Sequence, residues 1–121
     1  MEEFVGIETK YGIIKGRDGI YLDQIEYLNE SELILSGAFN LIGEFVRYKI
    51  KFYGIIFMSA LELDFDQRAA MESFVLVQES KKIKEFSKLD HSGKLKDNHQ
   101  HYIFRTYDTV FEIVALGFEW Q

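Results

Sequence analysis

Three histidines crowd one polar stretch of the chain, Asp90 to His101 (DHSGKLKDNHQH). His99 and His101 stand two positions apart, so in an extended segment both rings project from one face, and imidazole is a common ligand of zinc and related metals. Asp97 or His91 would have to complete such a site. No third ligand stands at a diagnostic spacing, and a solvated loop explains the same residues. We therefore expect no cofactor, and name His99 and His101 only as the pair a metal would use.

Carboxylates offer a second kind of chemistry. Glu62, Asp64 and Asp66 alternate, so on a strand they would project together, as acids must for proton transfer or for binding calcium or magnesium. Glu112 sits between Phe111 and Ile113 in an apolar run. Facing a closed interior, its pKa would rise through desolvation, as an acid or ligand anchor is tuned. Arg47 and Arg105, with Lys49 and Lys51, are the cations that would pair with such acids across strands or hold a ligand beside them. Glu112, Arg105 and Arg47 are thus the candidate ligand-binding residues, and a surface ladder of charges is the simpler reading.

Other catalytic devices are missing. With no Cys, thiol nucleophiles, disulfides and zinc ribbons are excluded. Neither G-x-S-x-G nor a phosphate-binding glycine loop occurs, and Gly16-Arg17-Asp18-Gly19 reads as a turn. No catalytic residue is assigned.

These side chains must be positioned by strands. Arg47-Tyr48-Lys49-Ile50-Lys51-Phe52 alternates charged and apolar residues, the period of a strand with one wet face. Leu33, Leu35 and Phe39 fall on one face of another. Around Tyr53 to Met58 the chain is apolar on both faces and the apolar parity changes, which predicts a bulge or bend near Gly54 or Ser59. The period switches at Ser80 to Leu89, where Ile83, Phe86 and Leu89 recur every third residue among lysines; this predicts a short amphipathic helix capped by Ser80. Asp90 to His101 reads as a long mobile loop. The expected fold is mainly β, bordering α+β: one domain over 1–121, an antiparallel sheet of about six to eight strands curled into a sandwich or partial barrel, with one helix near 80–89. Its 121 residues suffice for a core, and eleven Phe and seven Tyr supply much of it.

Net charge is −6, which opposes attraction to nucleic acid or anionic lipid. Residues 81–96 are locally basic, with six Lys against Glu85 and Asp90. The N-terminus lacks the features of a secretory signal, and Tyr53 to Leu61 is too short to span a membrane. A cytoplasmic location is expected.

His101 to Glu119 (HYIFRTYDTVFEIVALGFE) resembles the ending of a loosely defined group of small acidic bacterial proteins of unknown function, which share a T-Y-D-x-V-F-E-I-V-A type strand. The resemblance carries no catalytic motif. Immunity-type proteins that bind and block a toxin are similar in size and charge, an analogy only. Two functions follow as expectations. One is a noncatalytic binding module engaging a basic protein partner through its acidic surface. The other is a small-molecule binder or simple enzyme with an aromatic-lined pocket holding Glu112, Arg105 or Arg47. Pairing of edge strands, Ile55 to Phe57 or Val110 to Val114, would support a homodimer.

Overall fold

The computed structural model describes residues 1–68 and 72–121. In chain order the strands are β1 (Glu3–Gly6), β2 (Glu8–Thr9), β3 (Gly12–Ile13), β4 (Ile20–Asn29), β5 (Glu32–Leu41), β6 (Glu44–Tyr53) and β7 (Phe57–Glu62). A 3-10 turn at Leu63–Phe65 precedes β8 (Phe74–Gln78), the helix α1 (Lys81–Leu89), β9 (Gln100–Arg105), β10 (Thr109–Ala115) and β11 (Gly117–Trp120). All pairings are antiparallel, in a five-stranded sheet of order β1-β8-β9-β10-β7, a four-stranded sheet of order β11-β6-β5-β4 and the small hairpin β2-β3.

The two larger sheets pack as a mainly-β sandwich. Alternation places Leu33, Leu35, Tyr48, Ile50 and Phe52 on the inner face of one sheet, and Phe74, Tyr102, Phe104, Phe111 and Ile113 on that of the other. Phe52, Phe74 and Phe104 meet at ring-centroid separations of 5.1 to 6.4 Å. Each such ring contributes about 1.5–3 kcal/mol through burial.

The sheets are joined at a corner. Gly117 opposes Tyr53 and Val114 opposes Phe57, so residues 54–56 face only residues 115 and 116, a bulge. Gly54 is required there: its φ is +63°, and a Cβ would lie 2.5 Å from Leu116 side-chain atoms. The bend predicted near Gly54 is present. Its cause differs slightly from the expected parity change, because Met58 still packs on the main core while Phe57 meets Phe86 of α1 at 5.5 Å. The segment is apolar on both faces because the core takes one and α1 covers part of the other, leaving Tyr53 and Ile56 partly exposed.

A second apolar layer, Val75, Val77, Ile103 and Val110 with Phe4 and Leu63, lies on the outer face of the five-stranded sheet. Ser80 caps α1 as predicted, its Oγ accepting from the Ile83 N–H at 3.1 Å. The polar segment after α1 is folded by Asp90, whose carboxylate accepts from the N–H groups of Lys94 and Leu95 at 3.0 Å each. Those two bonds hold its pKa below the usual carboxylate range.

One of the two expected edges needs correction. β10 lies between β9 and β7, so Val110 to Val114 presents no free edge. Phe57, by contrast, opens β7, which stands at the edge of the five-stranded sheet; just before it, the Ile55 and Ile56 N–H groups donate to Ser31 O and Val114 O. The long edge belongs to β4.

Candidate functional site

On the outer face of the five-stranded sheet, pairing register brings distant residues together. Val77, His101, Val114 and Phe57 are successive cross-strand partners, and Val75, Ile103, Glu112 and Ser59 form the adjoining row. His101 and Glu112 are therefore diagonal neighbours. His101 Nε2 donates to Glu112 Oε1 at 2.7 Å, and Nδ1 lies 2.7 Å from Ser80 Oγ. Glu112 also faces Arg68 at 3.5 Å. Arg68 Nε donates to Asp66 Oδ1 at 2.8 Å, and Arg105 Nε donates to Asp66 Oδ2 at 3.1 Å. Ser80, His101, Glu112, Arg68, Asp66 and Arg105 thus form one continuous relay between α1 and the end of β9.

Its electrostatics follow from this pairing. The hydrogen bond from His101 holds the Glu112 pKa below the usual range, with the charges of His101, Arg68 and Lys82 outweighing burial. This reverses the rise expected for an acid in a closed interior: Glu112 is partly buried but has donors. Burial pushes Asp66 upward, yet the bonds and charge of Arg68 and the bond from Arg105 overcome it, leaving a net lowering. Because an ionised Glu112 only accepts, Nε2 carries a proton; in the neutral ring Nδ1 then accepts from the Ser80 hydroxyl.

That connectivity is the order of a Ser–His–acid triad with the two ring nitrogens exchanged. Both groups of the would-be nucleophilic pair are enclosed. Ser80 is 5% exposed and His101 3%, and Ser80 Oγ already accepts from the helix it caps. The relay fastens α1 to the sheet.

The remaining sequence candidates are dispersed. His99 precedes β9; its Nδ1 accepts from the Lys96 N–H at 2.8 Å and its Nε2 donates to Gly54 O at 3.1 Å. With both nitrogens of each ring occupied, His99 and His101 do not form a ligand pair. Among the described residues, no group of three or more His, Asp or Glu is placed to hold a metal. Glu62, Asp64 and Asp66 do not project together, because the chain leaves β7 into the 3-10 turn. Glu62 bonds the Asp64 N–H, Asp64 pairs with Arg17, and Asp66 turns inward to two arginines.

Arg105 and Glu112 share the relay, but Arg47 is on the other sheet. It crosses the small Ala38 of β5 to bond Asp23 of β4 at 2.5 Å. An aromatic cavity of about 140 Å³ does exist, with Phe39 and Tyr48 stacked at 4.6 Å beside Tyr11 and Trp120. Arg47 borders it, yet its guanidinium is engaged with Asp23. The aromatic cavity and the buried ionisable groups are therefore in different places. A second cavity, about 240 Å³, adjoins Arg105. Arg105 Nη2 is a buried nitrogen without a partner among the described residues, because Asp66, shared with Arg68, cannot offer it a two-oxygen fork. The neighbouring Arg17 and Arg68 are matched by Asp64 and Asp66.

No family model, curated protein or solved structure matches this chain. Among the described residues no helix is long and apolar enough to cross a membrane.

The sequence marks a strand over Ile20 to Leu28, but no motif in it singled out β4 as a candidate surface. Its segment Asp23 to Asn29 is exposed throughout, including Ile25, Tyr27 and Leu28 at 43, 64 and 45%. Glu26 and the following Glu30 enter no ion pair among the described residues, unlike Asp23 with Arg47. The signal available was compositional: Ile20 to Asn29 holds Asp23 and Glu26 and no Lys or Arg.

Proposed function

We propose that the protein is a noncatalytic binding module that engages a basic protein partner through its acidic surface. One contrast carries this reading. The groups capable of chemistry are closed on one another in the relay, whereas Glu26 and Glu30 have no ion-pair partner among the described residues and stand beside exposed Tyr27 and Leu28. Apolar contact supplies affinity and the acids supply encounter rate and selection against acidic proteins. Covering a partner's basic surface would block it, which is how the immunity-type proteins of similar size and charge act. The small-molecule reading keeps Arg47 beside the aromatic cavity, but that guanidinium is already engaged by Asp23, and Glu112 and Arg105 lie elsewhere, which weighs against it.

The test is copurification from cells that natively produce the protein, followed by reconstitution with the purified partner. We expect a basic partner whose affinity falls about tenfold or more with the double substitution Glu26→Lys, Glu30→Lys, and falls again with added salt. A search yielding no direct partner, or a partner indifferent to both charge reversal and salt, would overturn the proposal.

A further inference from the structure

Resting on that binding reading, we infer that the partner docks by adding a short basic strand to the free edge of β4. β4 pairs with β5 alone, and no backbone hydrogen bond crosses its other edge from Asp23 to Asn29 among the described residues. A strand edge of this kind presents unpaired N–H and C=O groups that template a further strand.

The local geometry sets its length. Register shifts lie between Leu22 and Gln24 and between Tyr27 and Asn29, bracketing a regular window in which Gln24, Ile25, Glu26 and Tyr27 oppose Ser36, Leu35, Ile34 and Leu33. Bulges disrupt regular pairing, so the added strand is confined to about four or five residues. Within the window the two faces differ. Ile25 and Tyr27 oppose the core residues Leu35 and Leu33 and continue the inner apolar face outward, while Gln24 and Glu26 lie on the wet face.

Cross-strand neighbours share a face, so the complementary strand alternates apolar residues toward Ile25 and Tyr27 with a basic residue toward Glu26. Charge also excludes the commonest alternative occupant. A second copy paired through β4 about Glu26 would set that acid against its own copy, with no Lys or Arg in Ile20–Asn29 to offset it, since Arg47 is already taken by Asp23.

Two synthetic peptides test the mode: capped Lys-Val-Lys-Val-Lys and Glu-Val-Glu-Val-Glu, each titrated into the whole protein by amide NMR with hydrogen exchange. We expect saturable shifts confined to β4 and its neighbours and slowed exchange at alternate amides of Gln24 to Leu28. Binding should be at least about tenfold stronger for the lysine peptide, with the preference inverted in Glu26→Lys. The purified partner should protect the same amides and lose affinity with Tyr27→Asp. Equal response to both peptides, or no response at β4, overturns strand addition. A partner that is salt-sensitive but leaves β4 unprotected and ignores Tyr27→Asp overturns strand addition while leaving the binding module intact; absence of any partner overturns the module itself.

Discussion

Beneath α1, His101, Glu112, Arg68, Asp66 and Arg105 each have a bonded or oppositely charged neighbour. Along β4, Glu26 has none among the described residues and Tyr27 is 64% exposed. Both regions mix charge with apolar side chains, and they use them for opposite ends. A paired, buried charge is spent on holding the fold, whereas an exposed charge without a partner retains its field for an incoming molecule. The difference teaches that reactive residue types can be closed into the fold while plain acids are left unsatisfied at the surface.

The comparison breaks most visibly at Asp66, whose side chain is 4% exposed and bridges two guanidiniums. Asp66→Ala leaves both without their shared acid and should lower stability by about 3–5 kcal/mol in urea denaturation. A loss under about 1 kcal/mol would place the relay with ordinary surface ion pairs. His101→Leu comes next. It strips Glu112 of its main donor and Ser80 of its partner, for an expected loss of about 2–3 kcal/mol.

Acid should act on the relay in the same sense. Glu112 and Asp66 are both held below their ordinary pKa values, so their contribution is present above the unfolded carboxylate range and is lost as pH falls below about 4 through the folded values. Urea midpoints measured from neutral pH downward should fall in that range, and Glu112→Gln should flatten the fall. Ser80→Ala removes the helix cap and should cost about 1 kcal/mol, with α1 amides exchanging faster. The smallest effect sharpens the contrast from the other side. Glu26→Gln and Tyr27→Ser should each change stability by no more than about 0.5 kcal/mol, because β4 owes nothing to these side chains in the free protein.

Much of the architecture was legible in local pattern. The alternation of Arg47 to Phe52, the inner face of Leu33, Leu35 and Phe39, the Ser80 cap and the bend at Gly54 are all present. Each depends on residues within a few positions of one another. The site was less legible. Glu112 was singled out in an apolar strand, but its partners His101 and Arg68 come from two other places in the chain, and only the β9–β10 register and the turn after β7 bring them to it. The grouping of Arg47 with Glu112 failed for the same reason, since they belong to different sheets. Val110 to Val114 carried a readable warning against edge status, because a strand apolar on both faces is covered on both.

The sequence by itself determined that this is a strand-built, acidic chain without thiol chemistry, with a short capped helix and a flexure near Gly54 or Ser59. Those properties follow from composition and from periodicities of two and three to four residues, which act locally. Strand order, and with it the closed relay and the open edge of β4, was decided by tertiary structure. Backbone hydrogen bonding between strands is nearly indifferent to side-chain identity, so the choice of neighbour depends on how both sheets bury their inner faces together.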